Sequence, residues 1–469
     1  MGIAEAGLLW SQYCFMVFMV RLNYWPKALF PFVIALAWFS LNAAAADISV
    51  TNTNPTGPGS LSAALDAANR TATPDRIVFN LPGNGPWSIT TGTLWVLTPV
   101  VFDGTTQPGY DGAFNRVYVE GAPGVSSVFF LTNHSGTTIK GLGIFNYDNN
   151  GVTIWSDAHW NFIDDDYIGF KKTPAGILHN TLRAPLCAGI GIQGNYNKVR
   201  RTTVSGVYNG INIGEAIEEN TTGLISHDNL FEYNRIGTDP AGQTTVGYGN
   251  TSTGIFLGAG VQSSWIGGYN VVAGNGGSGI EILHPTDVNN RIYYNYLGVN
   301  DGGTKVIDGL TNNQGILIGN RAKNNGAWGN VASGNRFAGI IVASGDGNWI
   351  WNNTVGLNRA QTQAIGGQNS GIVVNVDMDR SPGVPAVRNS IEGNMVCNHF
   401  LNAIEIYGGV GNGVYNNWVG TNSAGQPFAN TNWGVYLQGS SYNTGGNNAW
   451  GSNGLGKVGQ VDGIGNSID

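Results

Sequence analysis

Asp164-Asp165-Asp166 is the densest acidic cluster beyond residue 46; Glu232 occupies the place of Asp164 in the next copy of the same phrase, and Arg200 that place in a shorter relative, NKVRRTTVSG from Asn197. Two carboxyl groups hydrolyse a glycosidic bond with retention at about 5–5.5 Å and with inversion at about 6.5–9.5 Å. Elimination from a uronan needs instead a base beside a cation that stabilises an enolate-like intermediate, a role open to Arg200. Three carboxylates at one corner could also bind Ca²⁺ through oxygen or raise one another's pKa. Plainer alternatives are a salt-bridge ladder, about 0.2–1 kcal/mol per pair, and Asp standing in for Asn at a bend.

These residues sit in a repeated phrase, Asn-x-(Ile/Phe/Val)-x-x-(Asn/Asp)-x-(Ile/Leu/Val)-Gly. It starts at Asn161, Asn229, Asn290, Asn348 and Asn412, intervals of 68, 61, 58 and 64 residues. Apolar residues five apart around a polar bend suit two very short strands and a corner, not a helix. A Gly-(Ile/Val)-x-(Ile/Val/Leu) strand alternates with it, as GVTI at 151, GIGI at 189, GINI at 210 and onward to GVYL at 434. Corner and strand alternate without exception from Thr138 to Leu437, which is the signature of a solenoid. The fold class is therefore all-β: a single-stranded parallel β-helix, right-handed by the resemblance given below, with a short N-terminal capping helix over Ser60–Asn69, where Leu61, Ala64, Leu65 and Ala68 recur at helical spacing.

Aligning the copies predicts which side chains are neighbours. Ile163, Val199, Phe231, Ile266, Ile292, Ala327, Ile350, Ile391 and Val414 form an inward aliphatic stack. Asn234, Asn270, Asn295, Asn330, Asn353, Asn394 and Asn417 form an asparagine ladder at the bend. The residue after each inward position should face solvent, at ~4.8 Å per coil. That row reads Lys140, Asp164, Arg200, Glu232, Gly267, Tyr293, Trp328, Trp351, Glu392 and Tyr415. Its first four members alternate in sign and its middle is aromatic. The functional reading is an extended glycan groove. Asp164, Asp165, Asp166, Arg200 and Glu232 are the candidate catalytic groups. Lys140, Tyr293, Trp328, Trp351, Glu392 and Tyr415 are the candidate substrate contacts. No zinc site or Ser/His triad is expected, because the six histidines do not cluster in the repeat alignment.

With 11% charged residues, 11% aromatics and 72 glycines spread along the chain, neither disorder nor a helical bundle fits. A net charge of −7 gives no footprint for nucleic acid. Residues 1–46 hold Arg21 and Lys27, then a charge-free apolar run ending in AAAAD, which reads as a secretory signal peptide cleaved after Ala46. The mature chain then divides into an N-terminal cap with first coils, 47–137, and β-helix repeats, 138–469. Cys187 and Cys397 fall about seven coils apart, roughly 34 Å at ~4.8 Å per coil, and a disulfide needs Cα atoms within about 7 Å. Two separate thiols are expected.

The blocks VTNTNPTGPGSLSAALDAAN, IVFNLPGNGPWSI and VFDGTTQPGY, with the loops IGTDPAG and VGTNSAGQ, resemble secreted bacterial right-handed parallel β-helix repeat proteins of the pectate-lyase-like superfamily. The resemblance implies export to the periplasm or cell surface, a polysaccharide partner, no membrane association after cleavage, and a homotrimer in some members. It selects no enzyme family, since the polygalacturonase motifs and the alginate-epimerase Asp-Pro-His-Glu signature are missing. The resulting expectation is a polysaccharide lyase or glycoside hydrolase, with a non-catalytic adhesin or carbohydrate-binding protein as the alternative.

Overall fold

A computed structural model describes residues 45–180, 187–215 and 223–469. All but the last two residues of the expected leader lie outside them. Each coil contributes short strands to three sheets of 15, 13 and 13 strands, as Phe162–Asp164, Tyr167–Ile168 and Ala188–Ile192 illustrate. We call these the first, second and third faces. Every strand in them pairs in parallel with its equivalents in neighbouring coils, so the molecule is a parallel β-helix. The first face runs from Asp47–Val50 to Ser467–Ile468.

The register follows the repeat residue by residue. Ile163 pairs with Val199, Val199 with Phe231 and Phe231 with Ile266, and the stack continues to Val414 with every member fully buried. Glycine opens the third-face strands because the coil is tight there: a Cβ on Gly189 would lie 2.1 Å from Val204 Cγ1. The corner after the first-face strand puts one residue per coil in the left-handed region, at φ 58° for Asp165, 50° for Arg201, 56° for Tyr233 and 51° for Tyr294. That conformation is costly for side chains other than Asn or Gly.

The asparagine ladder at this corner offsets the cost. Asn234 N–H donates to Asn270 Oδ1 at 2.8 Å, while Asn270 Nδ2 donates back to Phe231 O at 2.9 Å. The pattern reaches Asn417 and Asn448. Two more ladders exist that the repeat alignment did not separate, one through Asn290, Asn325, Asn348 and Asn389, another through Asn275, Asn312 and Asn335. Each such bond contributes about 0.5–1.5 kcal/mol net.

A helix spans Leu61–Ala68, capped by Ser60, whose hydroxyl accepts from Ala63 N–H at 3.2 Å. Its Leu61, Ala64, Leu65 and Ala68 join the core beside Val50 and Ile77. Loops between the second and third faces stack on one another. Their Val299, Ile307 and Ile365 pack against Val271, Tyr296 and Val331 of second-face strands in a separate apolar cluster, and Arg235 of that face bridges to Asp301 at 2.5 Å. Cys187 and Cys397 are buried thiols, donating to Asp148 O at 3.0 Å and Thr421 O at 3.3 Å, with no disulfide between them.

Candidate functional site

The expected row is present in the expected order. Lys140 pairs with Asp164, Asp164 with Arg200, Arg200 with Glu232, Glu232 with Gly267, Gly267 with Tyr293, and onward through Trp328, Trp351 and Glu392 to Tyr415. Its two halves differ in what covers them.

At the charged end, the expectation of open carboxylates fails. Asp164 is only 3% exposed, because the Arg201 side chain lies over it, Nε donating to Oδ1 at 3.0 Å and Nη2 to Oδ2. Asp165 receives Tyr110 Oη at 2.7 Å and Arg116 Nη2 at 3.0 Å. Arg116 is itself fully buried, packed 3.9 Å from the Tyr167 ring centre, and also donates to Asp165 O. Asp166 faces inward, accepting from Leu142 N–H at 2.7 Å, and its Oδ2 has no partner. Burial holds its carboxyl well above the usual carboxylate range. Asp166 takes the ladder position, its Oδ1 accepting as the asparagine Oδ1 atoms do, but its Oδ2 lacks the carbonyl partner that Nδ2 finds in the other coils. The three carboxylates point to three different partners and form no oxygen cage. Among the described residues, no group of three or more His, Cys, Asp or Glu could hold a metal ion.

The alternating-sign ladder is also corrected. Glu232 takes its cation from Lys198, at 3.3 Å, while Arg200 lies 5.4 Å from the Tyr233 ring centre. Lys140 sits in register between Asp103 and Asp164. Glu232 is the one acid among the five candidate catalytic residues that is partly open and outside an arginine clamp.

The aromatic end matches the expectation and extends it. Tyr293 and Trp328 stack at 5.5 Å and 23°, and Trp328 and Trp351 meet at 5.8 Å and 42°. The structure adds Trp265, edge-on to Tyr293 at 5.7 Å, together with Arg291 and Trp349. These three precede the inward residues. Period-2 alternation puts them on the same outer surface, and applying it on both sides of the inward residue would have found them. Arg291, Trp328, Trp349, Trp351, Ser390 and Glu392 line a depression of about 400 Å³. Trp349 and Trp351 are 47% and 43% exposed, and Arg291 lies over the Trp349 ring, 5.6 Å from its centre. Tyr415 lies outside it, its hydroxyl 2.6 Å from Thr444 Oγ1.

Tyr293 joins the two ends. Gly267, between Glu232 and Tyr293, has no side chain, and a Cβ there would come 2.2 Å from Tyr293 Cδ1. The ring therefore lies over Gly267. Burial, then the nearby Glu232 charge, pushes its phenol pKa up, so the hydroxyl stays protonated.

No protein-family profile matches the chain, and no curated protein sequence does. Solved structures do match. The A-module of a mannuronan C-5 epimerase from Azotobacter vinelandii aligns at TM-score 0.51 and 14% identity, over 89% of this chain and 98% of that one. A Dettilon tailspike protein aligns at 0.46 and 15%, over 88% and 68%. An alginate lyase from a Paenibacillus species aligns at 0.36 and 13%, over 89% and 99%. At 14% identity, what the first of these shares with this chain is the fold. Among the described residues, no helix is long and apolar enough to cross a membrane.

Proposed function

We propose that this protein is an exported enzyme that binds an extended acidic polysaccharide along its first face and cleaves it by elimination. The observation that carries the binding half is the in-register aromatic platform from Tyr293 to Trp351. Flat rings at ~4.8 Å steps offer successive apolar surfaces to sugar rings. The parallel β-helix shared with an epimerase module supports a glycan partner by analogy only.

Elimination is favoured over hydrolysis by the fate of the acids. Hydrolysis uses two reactive carboxyl groups, and Asp164 is sequestered by Arg201. Glu232 remains as a base. It would remove the proton at C5, alpha to the uronate carboxyl. The electron pair forms the C4–C5 double bond, the C4–O bond breaks, and the leaving oxygen takes a proton, for which the Tyr293 hydroxyl is the donor. Lys198 and Arg200 supply positive charge beside the enolate-like intermediate.

Wild-type protein incubated with a uronan panel should generate the ultraviolet absorbance of the unsaturated product. Glu232→Gln should abolish it and Tyr293→Phe should reduce it. An undiminished rate in Glu232→Gln would sink this assignment. The second reading is a non-catalytic glycan-binding protein, favoured by the ion-paired state of Asp164 and Asp165. Uronan binding without product from the wild type would select it.

A further inference from the structure

Four loops between the second and third faces share one design, and one of them departs from it. They turn at Asp239, Asn300, Asn358 and Asn422. In each the Oδ1 atom accepts from the backbone N–H four residues on, that of Gln243, Thr304, Thr362 and Gln426, at 2.7, 2.9, 2.9 and 2.8 Å. The residue before that donor lies in the left-handed region. It is Gly242, Gly303 and Gly425 in three loops, at φ 64°, 62° and 77°, but Gln361 in the fourth, at φ 61°. A side chain is sterically costly there, and such outliers gather where the structure serves a function. The residue after the turning Asp or Asn is Pro240, Asp301 or Ser423 in the other loops and Arg359 in this one.

Both departures meet at one pocket of about 220 Å³, which Asn352 and Thr354 also line. Gln361 Nε2 donates to Thr354 Oγ1 at 3.1 Å, which leaves the threonine proton to donate in turn. The Arg359 guanidinium lies 5.2 Å from the Tyr269 ring centre and 5.8 Å from that of Tyr296, and Nη1 donates to Tyr296 Oη at 2.6 Å. The acid on the neighbouring loop, Asp301, is taken by Arg235. Among the described residues, no carboxylate pairs with Arg359 and no Asp or Glu lines the pocket. A guanidinium, a hydroxyl and amides therefore converge without a counter-charge, on a chain whose net charge is −7. The volume falls below the usual range of small-ligand sites, about 300–1,000 Å³, so the occupant is small. A guanidinium held flat against tyrosine rings is suited to bind phosphate-like oxygens with two parallel bonds.

We infer that this pocket is a binding site for a small doubly charged oxyanion, phosphate or sulfate. It does not depend on the proposed elimination activity. The test is calorimetric titration of the full chain with inorganic phosphate and with sulfate, the ionic strength held constant with sodium chloride. At least one should bind. Arg359→Ala should weaken that binding about ten-fold or more, through loss of the charge-assisted bonds. Gln361→Gly restores the residue of the other loops. It should weaken binding about three-fold without lowering the melting temperature. Arg388→Ala, which removes an exposed arginine at the opposite edge of the first face, should leave binding unchanged. Thermal unfolding of each variant verifies folding. The proposal is overturned if neither anion binds, if Arg359→Ala binds as tightly as the wild type, if Gln361→Gly keeps full affinity, or if Arg388→Ala loses as much as Arg359→Ala.

Discussion

The two halves of the first-face row share one backbone geometry and one register, yet they present opposite surfaces. From Lys140 to Glu232 the side chains are charged, with Asp164 buried under Arg201 and the others half-buried; from Tyr293 to Trp351 they are aromatic, with Tyr293 and Trp328 half-buried and Trp351 exposed. The difference comes from outside the row. Arg116 and Tyr110 belong to an earlier coil and reach Asp165 across about fifty intervening residues, while Arg201 folds back from the corner onto Asp164. Register decides who the neighbours are, and the covering groups decide which of them meet solvent.

The largest effect should come from breaking the covered half. Arg116→Met leaves Asp165 without its buried cation and should cost about 3–5 kcal/mol in urea unfolding. A loss under about 1 kcal/mol would show that the corner does not depend on the ion pair. Trp351→Ala in the same assay should stay within about 0.5 kcal/mol, as surface substitutions do.

Binding should invert that ranking. Trp328→Ala and Trp351→Ala should each weaken polysaccharide binding about ten-fold. Asp164→Asn should leave the dissociation constant within about two-fold, by calorimetry, because its carboxylate faces Arg201 rather than solvent. Equal losses in all three would erase the distinction between the halves.

Proton linkage sharpens the contrast further. Burial raises the carboxyl pKa of Asp166 and Asp287. Above about pH 4 the unfolded chain releases protons that the folded chain keeps, so stability falls as pH rises toward the raised values. Burial also lowers His399 to about 3. Below about pH 6.5 the unfolded chain takes up a proton that the folded chain refuses, so stability falls on acidification too. Melting temperature against pH should show both limbs. Asp166→Asn should flatten the alkaline limb and His399→Asn the acid one, while platform substitutions change neither. The smallest effect is on stability at neutral pH. His399 N–H donates to Asn430 Oδ1 at 3.2 Å, as ladder residues do, yet an imidazole has no oxygen to offer the coil below. His399→Asn should add about 1 kcal/mol.

Much of this was legible in the chain. The phrase beginning at Asn161 carries its strand, corner and second strand within nine residues, and its periodicity alone paired Ile163 with Val199 and Trp328 with Trp351. Asp166 was legible as an exception because its own repeat expects Asn there. The roles of Arg116 and Tyr110 were not, since no repeat position marks them, and the corner position of Arg201 gives no sign that its side chain turns back onto Asp164.

The amino-acid sequence by itself determined the solenoid, its coil boundaries, its buried stacks and the order of its outward rows, because these depend on short-range periodicity repeated coil after coil. Only the tertiary structure decided which outward groups are bare. Exposure depends on side chains arriving from other coils, and a long arginine or a missing Cβ can cover or uncover a neighbour without disturbing the repeat.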